Sequence, residues 1–175
     1  QKHWAALAAQ DSGLGCVIEA ISPTVRIQSL ERALCADHVV VLRPALGVGQ
    51  IAEAGAEAFG HVGKAYDCEF DCNISTRLVC TELIYRCYQH RGGIEFPLVK
   101  RLGRYTLTGD DIANLVLHSL TATPLPDQPG FRLEAMALKT GDGEAHLIEA
   151  STLLETMRKI QSGWRPTKSA EAVHA

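Results

Sequence analysis

The apolar residues of this sequence occur in short runs separated by turn-forming residues, and this pattern restricts the folds open to the chain. The runs at residues 2–9 and 15–20 flank Gln-Asp-Ser-Gly, which predicts a β-hairpin. Those at residues 131–139 and 145–149 flank Thr-Gly-Asp-Gly and predict a second hairpin. No run reaches the roughly 18 apolar residues that a membrane-spanning helix requires.

Helical periodicity dominates the middle of the chain. Residues 79–90 place Leu83, Ile84, Cys87 and Tyr88 on one face and end before two glycines, which predicts a helix with a stop signal. The other predicted elements are an amphipathic helix over 48–61, a short helix over 30–36 capped by Ser29, a buried strand over 38–43, a strand over 104–108, a helix over 110–117 opened by a capping box of Thr108 and Asp111, and a helix over 151–162. Antiparallel strands and helices segregated along the chain predict an α+β fold, with the sheet packed against helices.

The domain organisation follows from length and from one proline-rich stretch. A chain of 175 residues, 46% of them hydrophobic, can bury one sizeable core. Three prolines lie within residues 121–130, which therefore form a connector. We expect a core over 1–120 and a hairpin-helix extension over 131–175 that packs on it.

The charge pattern bears on partners and compartment. Lys and Arg number 17 against 20 Asp and Glu, without a basic cluster, so a nucleic-acid partner is not expected. The sequence begins at Gln1 rather than Met, so an N-terminal targeting segment stays open. We expect a cytoplasmic protein without a transmembrane segment, with a periplasmic location and a homodimer as open alternatives.

Six cysteines are too few for a disulfide-built scaffold at this length. Cys80 begins a predicted helix, where free N–H groups and the helix dipole favour a thiolate nucleophile; a packing cysteine is the alternative. Cys68 and Cys72 lie in a predicted loop, where they are either free thiols or linked by a disulfide bond. The spacings of Cys68 with Cys72 and of Cys80 with Cys87 do not match the two closely spaced ligand pairs of structural zinc sites. No metal or cofactor is therefore expected. The remaining cysteines are interpreted as core packing, namely Cys16, Cys35 and Cys87.

The first predicted hairpin carries candidates for the base that would activate this thiol and for the group that would orient the base. Facing strands bring side chains within reach, so Glu19 could accept a hydrogen bond from one nitrogen of His3 while the other nitrogen faces Cys80. Nucleophile, base and orienting group together form a catalytic triad. The alternatives are an exposed histidine at a strand end and an outward-facing glutamate.

The sequence resembles a known family at these residues. The resemblance is to the circularly permuted papain-like hydrolases of the NlpC superfamily, the YiiX/YebB-like group, in which the histidine strand precedes the cysteine helix. It extends over about residues 2–120, and only two residues precede His3 where the family has a strand and a Gly-Asp turn. The segments that carry it are His3-Trp4, Val17-Ile18-Glu19-Ala20, Gly63-Lys64-Ala65-Tyr66-Asp67 with Phe70, and Cys80-Thr81-Glu82-Leu83-Ile84-Tyr85.

The resemblance implies a permuted papain-like fold and roles for individual residues. Cys80 would be the nucleophile, His3 the base and Glu19 the third member of the triad. Tyr66 would line the site and stabilise an oxyanion together with the Cys80 N–H, since such sites commonly use two donors; a packing tyrosine is the alternative. The remaining substrate-binding candidates are Trp4 and Asp67, and Asp67 could instead orient or cap its loop.

We therefore expect a cysteine hydrolase that cleaves an amide, ester or thioester through an acyl-enzyme. The substrate would be a small peptide, an amide or a lipid-like molecule. Two alternatives stay open: a lipid-directed acyltransferase or thioesterase of the same fold, as in the related lecithin:retinol acyltransferase group, and a non-catalytic binding module. A metal-binding protein is a third interpretation.

Overall fold

The computed structural model describes residues 15–36, 38–121, 130–139, 145–148 and 155. The strands are β1 (Gly15–Ile21), β2 (Thr24–Ser29), β3 (His38–Pro44), β4 (Ala65–Tyr66), β5 (Arg77–Leu78), β6 (Val99–Arg101), β7 (Arg104–Thr106), β8 (Phe131–Lys139) and β9 (Ala145–Leu147). The α-helices are α1 (Leu30–Ala33), α2 (Val48–Gly60), α3 (Cys80–Tyr88) and α4 (Gly109–Thr121), and a 3₁₀ turn follows α3 at Arg91–Gly93. The fold class is α+β, as the sequence predicts.

A four-stranded sheet with the order β1-β2-β4-β5 carries Glu19 and Tyr66, and its strand β5 precedes Cys80. β1 and β2 form an antiparallel hairpin whose turn is Ser22-Pro23, while β4 and β5 run parallel. The strand predicted over residues 15–20 is confirmed as β1, and the turn leads into β2, which the sequence did not predict. The predicted strand over residues 2–9 lies outside the described residues.

One hydrophobic cluster joins this sheet to α2 and α3. Strand alternation turns Ile18 and Ala20 toward the cluster and leaves Glu19 on the opposite face of β1. The buried members come from five elements and comprise Ala20, Val25, Ala54, Leu78, Leu83 and Cys87, with Ile18, Ala58, Tyr66 and Tyr88 packed at its edge. The cluster therefore fixes α3 on the same face of the sheet that carries Tyr66.

The two long helices in the middle of the chain form where the sequence predicts them. α2 buries Ala54, and α3 buries Leu83 and Cys87. The expected apolar face of α3 is wrong at one position, because Ile84 is exposed and Glu82 is fully buried instead. Glu82 tolerates this position because Arg86, one turn further along, donates two hydrogen bonds to it.

The hairpin β6–β7 and helix α4 complete this part of the fold. The turn of the hairpin is Leu102-Gly103, with positive φ at both residues, as two-residue β-turns require. The predicted capping box is confirmed: Thr108 N–H donates to Asp111 Oδ2 at 2.8 Å, and Asp111 N–H donates to Thr108 Oγ1 at 3.2 Å.

Cys35 is not a core residue. Ser29 caps α1 as predicted, by accepting from the Arg32 N–H, but the helix ends at Ala33 rather than at residue 36. Cys35 therefore follows the helix and is exposed. The side chain of Cys16 lies outside the described residues.

The chain divides into two compact units, residues 1–36 with 44–132, and residues 37–43 with 133–175. In the second unit β3, β8 and β9 form a sheet, and β8 pairs antiparallel with β9, which confirms the predicted C-terminal hairpin. The expectation that β3 is buried is wrong, because Val40 and Val41 are exposed. The predicted helix over 151–162 and most of the connector lie outside the described residues, so the domain boundaries at 120 and 130 stay predictions.

Candidate active site

Cys80 is the first residue of α3 and its side chain is exposed. Strand β5 leads directly into the helix through Val79, whose extended backbone (φ −88°, ψ 167°) makes it the N-cap. The first N–H groups of a helix have no partner within the helix, and they favour negative charge beside them. The local structure thus presents the Cys80 thiol to solvent at the start of a helix.

The residues that follow Cys80 anchor the start of α3. The Thr81 hydroxyl donates to the Leu107 carbonyl oxygen at 2.6 Å, which ties the helix to the segment after β7. Glu82 is at the third helical position and has no exposed surface. Its Oε1 accepts from Arg86 Nη2 at 2.9 Å and from Arg86 Nε at 3.2 Å.

The Glu82 carboxyl is a buried acid with an incomplete set of partners. Burial raises its pKa and nearby Asp67 adds to this, whereas Arg86 and the Val79 N–H favour the charged form. Oε2 of Glu82 accepts no hydrogen bond within the described part of the chain. Arg86 is therefore the principal group that holds this charge two residues from Cys80. Its Nη2 also donates to the Cys72 carbonyl oxygen at 2.9 Å.

Tyr66 lies beside Cys80, as the family resemblance implies. Parallel pairing sets Tyr66 opposite Leu78, two residues before the cysteine. Burial raises the pKa of the Tyr66 phenol, and negative charge at Cys80, Cys68 and Asp67 raises it further. The phenol therefore keeps its proton at neutral pH and is available as a hydrogen-bond donor.

Asp67 orders the loop that follows Tyr66. It is fully buried, and its Oδ1 and Oδ2 accept from the N–H groups of Glu69 and Asp71 at 3.0 and 2.9 Å. Its own N–H donates to the Leu78 carbonyl oxygen at 3.1 Å, which ties the loop to β5. Of the roles considered for Asp67, these contacts match that of orienting the loop.

Glu19 forms an ion pair within its own hairpin. Arg26, its register partner on β2, donates from Nε to Glu19 Oε1 at 3.0 Å. His3 and Trp4 lie outside the described residues, so the structure brings together Cys80, Tyr66 and Asp67 but does not place the predicted base. The pairing of Glu19 with His3 stays a prediction.

Cys72 and Cys87 are buried, unlike Cys80. Burial raises the pKa of Cys87 to about 11 and also raises that of Cys72, so neither thiol ionises readily at neutral pH. Cys68 is exposed and, like Cys72, is a free thiol. Among the described residues, no group of three or more His, Cys, Asp or Glu side chains is arranged to hold a metal ion.

A separate open cleft of about 690 Å³ lies along α2. Its lining consists of Glu53, Ala56, Glu57, Gly60, His61, Lys64 and Arg91. His61 is buried there, with Nε2 at 3.3 Å from Glu57 Oε1 but without hydrogen-bond geometry to it. Burial lowers the pKa of His61, and Lys64 lowers it further. Cys80 does not line this cleft.

Sequence reasoning missed the pair Glu82 and Arg86. Their i, i+4 spacing is the signal that could have predicted it, because such side chains meet on one helical face. The burial of Glu82 has no such signal, because a glutamate in the first turn of a helix is ordinarily exposed.

Comparisons with known proteins identify the family. The profile of Peptidase_C92, described as permuted papain-like amidase enzyme, YaeF/YiiX, C92 family, matches residues 1–137. The crystal structure of metalloprotein yiiX from Escherichia coli O157:H7 aligns with 76% of this chain and 74% of that chain, at 18% identity and a TM-score of 0.42. No curated protein matches the chain. Within the described residues, no helix is long and apolar enough to cross a membrane. Because the profile covers most of the sequence, the chain belongs to the permuted papain-like amidases and is a thiol hydrolase of that class.

Proposed function

We propose that this protein cleaves amide bonds with Cys80 as nucleophile, His3 as base and Glu19 as the group that orients the imidazole. The observation that carries the proposal is the exposed Cys80 at the start of α3, beside the protonated Tyr66 phenol. A nucleophile and an oxyanion donor at one helix N-terminus are what acyl transfer requires.

The reaction has two halves. His3 takes the proton of the Cys80 thiol, and the sulfur bonds to the carbonyl carbon. The Cys80 N–H and the Tyr66 hydroxyl stabilise the negative oxygen of the tetrahedral intermediate. The C–N bond then breaks as protonated His3 donates its proton to the leaving amine, which leaves an acyl-enzyme. In the second half His3 takes a proton from water, the hydroxide adds to the thioester, and the thiolate departs.

The sheet offers an edge on which the strand that carries the base could pair. β1 is at one end of the strand order in the described part of the chain. Antiparallel pairing of residues 2–9 with this edge would bring His3 next to Glu19 if both point to the same face. Glu19 is half-buried and its carboxylate is ordered by Arg26, so it would accept from the imidazole while keeping its ion pair.

Trapping of the acyl-enzyme tests the proposal. A p-nitrophenyl ester is mixed with the protein, the reaction is stopped with acid, and the acylated peptide is identified by mass spectrometry. We expect the acyl group on Cys80, and no acylation in Cys80→Ser within the same time. Cys68→Ser is the matched control, because Cys68 is also an exposed free thiol and should not affect trapping. Acylation at Cys68 rather than Cys80 would refute the assignment.

A further inference from the structure

Phe70 has a backbone conformation that its side chain does not favour. Its φ is +56°, in the left-handed region that bulky residues rarely adopt. Leu102 also has a positive φ, but it lies in the two-residue turn of the β6–β7 hairpin, which requires one. Phe70 lies in the loop after β4, between β-strands that do not form a hairpin with each other.

The contacts around Phe70 hold the loop in this shape. Asp67 accepts hydrogen bonds from the N–H groups of Glu69 and Asp71, the residues immediately before and after Phe70. Arg104 on β7 donates from Nη1 to the Glu69 carbonyl oxygen at 2.7 Å. A fully buried carboxylate and an arginine from another element therefore fix both neighbours of the phenylalanine.

The effect of this arrangement is to display an aromatic ring next to Tyr66. Phe70 is 51% exposed, and its ring contacts that of Tyr66 edge to face, with centroids 6.4 Å apart. Tyr66 in turn pairs with Leu78, two residues before Cys80. An unfavourable φ that is held by surrounding contacts, at a site with a candidate nucleophile, suggests a binding role rather than a packing role.

We propose that Phe70 is a specificity-determining residue that contacts an apolar group of the substrate next to the scissile carbonyl. The inference rests on the proposed function of Cys80 and adds a substrate class to it: amides that carry an aliphatic or aromatic substituent near the reacting carbon. An exposed aromatic face gains from covering such a group and gains little from a small polar one.

Paired alkylating agents test this without a known substrate. Iodoacetamide and N-benzyl iodoacetamide share the same reacting carbon, and only the second carries an apolar group. The rate at Cys80 is followed for each by peptide mass mapping, in a Cys68→Ser background. Each rate at Cys80 is divided by the rate of the same reagent with glutathione. We expect this normalised rate to be about tenfold higher for the benzyl reagent, because a single apolar contact typically gives a factor of this size.

Variants at position 70 test whether Phe70 causes the preference for the benzyl reagent. Phe70→Ala should abolish the benzyl preference, measured as the ratio of the two rates in the same variant, whereas Phe70→Leu should retain most of it. Phe59→Ala is the matched control, since Phe59 is 47% exposed on α2, and it should keep the full preference. An unchanged preference in Phe70→Ala would overturn the proposal, as would equal relative rates for both reagents in the unmodified protein. If neither reagent reacts at Cys80 faster than with glutathione, the proposed nucleophile itself fails, and the proposal for Phe70 fails with it.

Discussion

Arg86 donates two hydrogen bonds to one oxygen of Glu82, a carboxylate with no exposed surface that lies two residues after Cys80. The same guanidinium holds the Cys72 carbonyl oxygen. One side chain therefore ties the start of the cysteine helix to the end of the loop that carries Phe70. This contact makes the geometry around Cys80 dependent on a charge pair rather than on apolar packing alone.

Arg86→Met should destabilise the protein by about 3 kcal/mol, because it leaves the buried Glu82 charge without its main partner. Urea unfolding at pH 7 measures the change. Arg43→Met is the control: Arg43 pairs with Glu134 on a more exposed surface, where removal should cost about 1 kcal/mol or less. Equal effects of the two substitutions would contradict the assigned importance of the buried pair.

The cost of Arg86→Met should depend on pH. The folded-state pKa of Glu82 is raised above its usual value of 4.5, and loss of Arg86 raises it further. An acid whose pKa is higher in the folded state than in the unfolded state stabilises the fold most when it is protonated. Its contribution to stability therefore falls as pH rises from its unfolded pKa through its folded pKa. The variant should therefore lose less stability at pH 4.5 than at pH 7, which unfolding at the two pH values tests.

His61 should make the protein sensitive to mild acid. Burial holds its pKa below the usual 6.5, so the unfolded chain binds the proton first as pH falls. Stability contributed by the neutral ring is thus complete above pH 6.5 and decreases below it. His61→Gln should show a smaller loss of thermal stability between pH 7 and pH 5.5 than the unmodified protein does. Identical pH dependence in His61→Gln and the unmodified protein would contradict this account.

Phe70→Gly should be more stable than Phe70→Ala by about 1 kcal/mol, because glycine adopts a positive φ without the steric penalty of a Cβ atom. Both variants lose the ring contact with Tyr66, so the comparison isolates the backbone term. Thermal or urea unfolding of the two variants gives the difference. If Phe70→Gly is the less stable of the two, the loop does not hold residue 70 under strain.

The sequence predicted the elements whose signals are local. The capping box at Thr108 and Asp111 and the helix that ends before Gly92 both depend on residues within a few positions of each other, and both were found. The helix start at Cys80 was predicted for the same reason. The C-terminal hairpin was predicted from alternation around a turn.

What the sequence could not give depends on contacts between distant segments. Glu82 is buried although it is ionisable, and Val40 and Val41 are exposed although they belong to an apolar run. Cys35 is interpreted as a core residue from the sequence, but it follows the end of α1 at Ala33 and is exposed. At the site, Tyr66 and Asp67 were identified through the family resemblance, but the role of Asp67 as acceptor for two loop amides needed coordinates.

The central claim is that Cys80 is a nucleophile activated by His3. The measurement that tests it most directly is the rate of iodoacetamide labelling at pH 6, followed for each cysteine by peptide mass mapping. We predict that Cys80 reacts at least tenfold faster than the exposed Cys35 and Cys68, and that His3→Ala removes the difference while His90→Ala does not. Equal labelling of the three exposed cysteines in the unmodified protein would contradict the account.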